Sequence, residues 1–150
     1  MLEVGTLIGY SAILMAGNLP AGERVTSIEI NPAAATQARA NIRKAGLTAR
    51  IKVITGNAAR VIPALDGVFD MLFLDADKKG YLTYLKLAER MLKQGGVVFA
   101  DNARVFAAEM APYLRYLRSS SRYQSEFVDF GADGVEVSTL LSTSPLIKMA

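Results

Sequence analysis

The stretch Phe69-Asp70-Met71-Leu72-Phe73-Leu74-Asp75-Ala76-Asp77-Lys78 decides the fold. Phe69–Leu74 is a nearly unbroken apolar run, the pattern of a central strand buried on both faces. It stops abruptly at Asp75. On either side, short β-rich runs alternate with helical segments. That alternation predicts βαβ units and a mainly parallel sheet.

Toward the N-terminus, residues 1–4 read as a short strand running into Gly5-Thr6-Leu7-Ile8-Gly9, and a helix follows over residues 10–16. Residues 18–22 are a turn, and residues 24–30 form a second strand with Glu29 near its end. Asn31-Pro32 opens the next helix, Asn31 as N-cap and Pro32 at the first helical position, and Gly46 suits its C-terminal stop. Ile51–Thr55 is a third strand and residues 58–65 a short helix. Beyond Asp75, Tyr81, Tyr84, Leu85, Ala88 and Leu92 recur at helical spacing. Gly95-Gly96 is expected to break that helix before a strand over residues 97–100. Phe106, Met110, Tyr113 and Leu117 mark one face of another helix. Residues 123–130 and 135–142 read as two strands joined by Gly131-Ala132-Asp133-Gly134. The expected fold is α/β: a Rossmann-like, doubly wound, mainly parallel seven-stranded sheet with an antiparallel C-terminal strand pair, in a single domain over residues 1–150.

Composition narrows the chemistry. The 150 residues include no cysteine and no histidine, which excludes disulfides, zinc–thiolate sites, cysteine nucleophiles and the commonest general base. Acid–base work falls to Asp, Glu, Lys or Tyr, and any metal must accept oxygen ligands. The net charge of +3, from 17 basic against 14 acidic residues, forms no basic face, so no nucleic-acid partner is expected. No apolar run approaches the roughly 20 residues of a membrane span. There is no cationic leader with a cleavage site either, so the expected location is cytoplasmic, with no membrane partner.

Polar groups cluster where the strands end: Gly5 to Gly9, Glu29, Asn57, Asp75 and Asp101-Asn102. In open α/β sheets ligands bind outside these ends. The glycines of the first turn let backbone approach a ligand, though the turn is not a G-x-G-x-x-G fingerprint. Glu29 stands where an acid can accept ribose hydroxyls; a solvated carboxylate near a helix start is the plain alternative. Asp75, Asp101 and Asn102 offer hard oxygen ligands suited to Mg²⁺ or Ca²⁺, or else simply cap helices. Lys78 is either an exposed counter-ion or a base for a substrate hydroxyl.

Taken together, Leu2-Glu3-Val4-Gly5-Thr6 with Gly9-Tyr10-Ser11-Ala12, Ile28-Glu29-Ile30-Asn31-Pro32, Phe73-Leu74-Asp75-Ala76-Asp77-Lys78 with Tyr81, Gly95-Gly96 and Asp101-Asn102 resemble the cation-dependent O-methyltransferase family, which includes catechol and caffeoyl-CoA O-methyltransferases. The resemblance implies an S-adenosylmethionine-dependent enzyme acting on a hydroxyl of a small, vicinal dihydroxy aromatic acceptor. It implies that Glu3, Gly5, Thr6, Gly9 and Ser11 surround the methionine part of the cofactor, that Glu29 binds ribose, and that Asn57 and Ala58 lie near adenine. Many relatives have an acid where Asn57 stands. Asp75 would touch the cofactor and, with Asp101 and Asn102, hold Mg²⁺ (or Ca²⁺ or Mn²⁺), and Lys78 would be the general base. Glu136 resembles a substrate-contacting glutamate of catechol O-methyltransferase, yet its alternation with Val135 and Val137 predicts a solvent-facing side chain.

Members of that family normally carry helices before the first strand, and a Leu-Trp after the Asp-Asn pair; this sequence starts on the strand and lacks the Leu-Trp. The domain is therefore expected to be N-terminally short, either as a truncated chain or with an unusually open acceptor site, and exposed apolar surface would favour a homodimer. Three other readings remain: a nicotinamide-dependent oxidoreductase, a cofactor-binding module with little or no catalysis, and a methyltransferase acting on RNA or protein.

Overall fold

The computed structural model describes residues 1–141. Twelve main elements follow in the order β1 (Leu2–Val4), α1 (Tyr10–Asn18), β2 (Val25–Glu29), α2 (Pro32–Lys44), β3 (Ile51–Thr55), α3 (Ala58–Val61), β4 (Phe69–Leu74), α4 (Tyr81–Ala88), β5 (Leu92–Ala100), α5 (Ala111–Ser119), β6 (Tyr123–Asp129) and β7 (Gly134–Leu140). The strands form one sheet in the order β3-β2-β1-β4-β5-β7-β6. β1 to β5 pair in parallel, while β7 runs antiparallel to both β5 and β6. Strand order reverses between β1 and β4, which is where a doubly wound sheet opens a crevice for ligand. The anticipated Rossmann-like sheet with its antiparallel finish is what the chain forms.

Local chemistry explains the elements. Asn31 Oδ1 accepts the Ala33 and Ala34 N–H groups at 2.9 and 3.2 Å, starting α2 as anticipated. At the other end, Gly46 N–H donates to Arg43 O and Leu47 N–H to Ile42 O, the paired bonds of a Schellman stop. Ala35, Ala38 and Ile42 lie on one face of α2 and are buried.

Two cores flank the sheet. Ala12, Ala16 and Ile42 of α1 and α2 pack against Val25 and Ile51 on one face. On the other, Tyr81, Leu85, Tyr113 and Leu117 of α4 and α5 cover Leu2, Leu72, Leu74 and Val98. This arrangement corrects the reading of β4. Leu72 and Leu74 are fully buried, but Met71 and Phe73 on the opposite face are only half-buried. The reason is that on that face α1 and α2 pack on β2 and β3.

Three further expectations are corrected. Gly95-Gly96 does not precede β5 but lies inside it, where the β4–β5 register shifts between Phe69↔Leu92 and Met71↔Val97. The glycines mark a bulge, and Leu92 is a strand residue rather than the end of α4. Residues 101–110 form successive turns, so Phe106 and Met110 both precede α5; Met110, Tyr113 and Leu117 are buried as expected, while Phe106 is exposed. The expected helix over residues 58–65 is split into α3 and a 3-10 turn over Ile62–Ala64, at Pro63. β7 is described to Leu140, and Ser142, placed in that strand by sequence, lies outside the described residues.

Candidate active site

The parallel ladder fixes the site by aligning strand ends. Gly5 N–H donates to Ile28 O at 2.9 Å, Asp75 N–H to Val4 O at 2.9 Å, and Asp101 N–H to Leu74 O at 3.0 Å. These bonds bring Gly5, Glu29, Asp75 and Asp101 to one edge of the sheet. A cavity of about 470 Å³ opens there, a size usual for small-molecule and cofactor sites. Gly5, Thr6, Ser11, Glu29, Ala58 and Asp75 all line it.

Gly5 takes φ +105°, and a Cβ placed there would lie 1.9 Å from the carbonyl oxygen of Asp75. The turn after β1 therefore rests directly on the end of β4, which only glycine allows. Glu29 then braces the turn from the neighbouring strand. Its Oε2 accepts the Leu7 N–H at 2.7 Å and its Oε1 the Asn31 N–H at 2.8 Å. Each carboxylate oxygen keeps a second lone pair for a ligand hydroxyl. No side chain caps α1, so its N-terminus, with Tyr10 and Ser11 on the cavity wall, retains unsatisfied N–H groups.

Glu3 is completely buried and does not line the cavity. Ser11 and Ser27 both donate hydroxyl hydrogen bonds to its carboxylate, and the Thr6 and Ser27 hydroxyls pair at 2.5 Å. Glu3 thus acts on the cavity through Ser11. Burial pushes its carboxyl above the usual range; the serine bonds oppose this, and the charges of Asp75 and Glu29 add to it. The folded state therefore binds a proton more tightly than the unfolded chain, and stability falls as pH rises from about 4.3 through the raised value. Glu3→Gln removes this titration. We expect the unfolding free energy of the wild type, from urea titration, to fall relative to Glu3→Gln across that interval, by about 1.4 kcal/mol for each pH unit it spans. Parallel pH profiles for the two proteins would refute this.

Gly9 and Asn57 lie outside the cavity lining. Gly9 turns toward α2, with Ala38 3.4 Å from where its Cβ would stand, and Asn57 caps α3 by accepting the Ala59 N–H at 2.9 Å. Leu7 and Ile8 of the first turn also form the wall, with Ile30 and Tyr84, to which sequence reasoning gave no role in the site. Ile30 is 66 % exposed, an apolar residue immediately after the acid at a strand end. That juxtaposition was the available signal.

Beyond Asp75 the edge becomes polar. Lys78 is only 8 % exposed. Its Nζ donates to Tyr81 Oη at 2.6 Å and to Asp75 Oδ1 at 3.1 Å, and it lies 5.7 Å from the centre of the Phe106 ring. Tyr81 is itself buried and donates to Leu74 O at 2.9 Å, so the amine is held at a fixed point beside the cavity. Burial raises the Asp101 carboxyl above its ordinary range; a bond from the Asn102 backbone opposes that, and the charge of Asp75 reinforces it. Among the described residues no three His, Cys, Asp or Glu side chains gather as a metal site. The candidate set is two carboxylates and one amide oxygen, a donor chemistry that fits a hard divalent cation.

Glu136 corrects the expectation of a solvent-facing side chain. It is 1 % exposed, and Arg118 Nε and Nη2 clasp its two oxygens at 2.7 and 2.6 Å. β7 alternates in the opposite phase to that assumed: Gly134, Glu136, Ser138 and Leu140 point inward.

The sequence profile of a family described as O-methyltransferase matches residues 1–113. The chain belongs to the O-methyltransferase family. Catechol O-methyltransferase of Niastella koreensis is 43 % identical over 106 residues, covering 68 % of this chain and 48 % of the relative. Catechol O-methyltransferase of Bos taurus is 34 % identical over 149 residues, covering 91 % and 54 %. The chain therefore spans about half the length of these curated relatives. Among solved structures, an O-methyltransferase from Bacillus cereus in complex with SAH superposes with a TM-score of 0.86 at 29 % identity, covering 93 % of this chain and 72 % of that one. TomG of Streptomyces achromogenes, in complex with SAM, gives 0.88 at 27 % identity, covering 94 % and 72 %. The family's sheet is thus the sheet that aligns these strand ends.

Proposed function

We propose that this chain is the catalytic core of an O-methyltransferase that moves a methyl group from S-adenosylmethionine to a hydroxyl of a small, vicinal dihydroxy aromatic acceptor, with help from a divalent cation. One observation carries the reading. Asp75 both lines the cavity and accepts from Lys78, so the cofactor pocket and the acid–base group share a wall. The solved relatives with bound SAM and SAH support the choice of cofactor.

When bound, S-adenosylmethionine supplies an activated methyl group and a divalent cation supplies stabilisation of an oxyanion. The chain's own residues do the rest. Glu29 accepts ribose hydroxyls beside the turn it braces. The uncapped N-terminus of α1 would offer its N–H groups and dipole to the cofactor's carboxylate. Ala58 and Ile30 offer apolar contact for adenine. Asp75, Asp101 and Asn102 would hold the cation. A free phenol titrates near 10, so removing its proton at neutral pH requires a base close by, and Lys78 Nζ is placed to take it. The chain's principal contribution would be to position the bound reactants, an effect that can supply roughly 7–11 kcal/mol.

Calorimetric titration with S-adenosylmethionine and its demethylated product, with and without Mg²⁺, tests the reading. Binding in the micromolar range, followed by transfer to a catechol-type acceptor that responds to Mg²⁺, is expected. A folded sample that binds neither compound would overturn it.

A further inference from the structure

Asp133 stands in the turn between β6 and β7, remote in sequence from every residue assigned to the site. Its carboxylate nevertheless organises the loop that follows β5. Oδ1 accepts the backbone N–H groups of Arg104 at 3.1 Å, Val105 at 3.2 Å and Gly134 at 2.8 Å. Oδ2 accepts Nδ2 of Asn102 at 3.0 Å. Ala103 N–H donates to Gly134 O at 2.8 Å and closes the clamp. Arg104 and Asp129 add an exposed ion pair at 2.5 Å, which contributes little by comparison.

The chemistry of an asparagine amide gives the contact its meaning. One end of the amide only donates and the other only accepts, and a carboxylate only accepts. Of the two ends of the Asn102 amide, Asp133 can therefore face only Nδ2, which fixes the flip of the amide. Asn102 also holds φ +62°, a left-handed conformation that asparagine tolerates better than most residues. Backbone and amide are both set in advance of any ligand.

We propose that Asp133 is a positioning residue: by holding Nδ2 of Asn102, it leaves Oδ1 as the end offered to a hard divalent cation beside Asp75 and Asp101. This rests on the reading of Asp75, Asp101 and Asn102 as cation ligands. Outer partners of this kind typically change metal affinity by about 10–100-fold when lost.

The test is Mn²⁺ binding by the 150-residue chain, measured with the metal alone by calorimetry or electron spin resonance. Asp133→Asn keeps an oxygen for the three backbone N–H groups but sets an amide NH₂ against Nδ2 of Asn102. That contact turns the Asn102 amide and presents nitrogen to the metal. We expect Mn²⁺ affinity to fall about 10-fold or more, with circular dichroism and melting close to wild type. Asn102→Asp then restores an acceptor facing the new amide and offers a carboxylate oxygen to the metal. It should raise affinity more in the Asp133→Asn background than in the wild-type background, a coupling that a double-mutant cycle reads directly. Unchanged Mn²⁺ affinity in Asp133→Asn, or equal effects of Asn102→Asp in the two backgrounds, would overturn the proposal and leave Asp133 a loop fastener. A wild-type chain that binds no Mn²⁺ would instead overturn the ligand reading, and the proposal with it.

Discussion

Lys78→Met is expected to lower methyl transfer by about 10²–10⁴-fold, the usual contribution of a positioned acid–base group, while S-adenosylmethionine binds as in the wild type. Methionine keeps a long unbranched apolar side chain and removes the amine that lies near the Tyr81 and Phe106 rings. The amine does not line the cofactor cavity, so cofactor affinity has no direct reason to change. Its bonds to Tyr81 Oη and Asp75 Oδ1 hold it beside the cavity wall that Asp75 forms. The loss should fall on kcat more than on KM, because proton removal belongs to the transition state rather than to binding. A variant that retains more than about a tenth of the wild-type kcat would remove Lys78 from the proton-accepting role. A variant that loses transfer and cofactor binding together would make Lys78 a structural residue.

Gly5→Ala is expected to destabilise the fold by about 3 kcal/mol or more and to abolish cofactor binding. Two penalties combine. At φ +105° an L-residue is strained, and the new methyl would stand 1.9 Å from the Asp75 carbonyl oxygen and 2.6 Å from its carbon. Those are backbone atoms at the end of a ladder-bonded strand, so no side chain can swing aside. Relief requires the turn after β1 to lift from β4, which widens the cavity and displaces Asp75, the residue shared by the cavity and the Lys78 contact. Gly22 supplies the control: φ is +89° with nothing within 4 Å of the added carbon. Gly22→Ala should cost only the backbone strain, about 1 kcal/mol, and leave binding unchanged. Urea midpoints and calorimetry on both variants decide the matter. Equal shifts for the two would mean that the close approach to Asp75 does not limit the fold.

Much of the site is legible in the sequence, and the reason is geometric. In a parallel sheet every strand points the same way, so residues that end strands share an edge however far apart they lie along the chain. That rule alone brings Gly5, Glu29, Asp75 and Asp101 together, and the ladder bonds from Gly5, Asp75 and Asp101 show it operating. It does not tell whether a side chain faces the cavity or supports something that does. Glu3 and Gly9 come with the first turn, yet one sits buried beneath two serines and the other faces α2. The helix expected from Phe106 onward fails for a related reason. Apolar spacing marks a buried face but cannot reveal that residues 101–110 are tied as turns to a distant hairpin.

The sequence by itself determined the order of the strands, the caps of α2, the class of sheet and the strand ends that meet at the candidate site, because each of these depends on short-range patterns of polarity and backbone preference. Only the tertiary structure decided which way Glu136 faces, that Gly95-Gly96 forms a bulge within β5, and that Asp133 reaches Asn102. Those features arise where strands distant in sequence meet. There the phase of pairing and the placement of a few hydrogen bonds settle what local alternation leaves open.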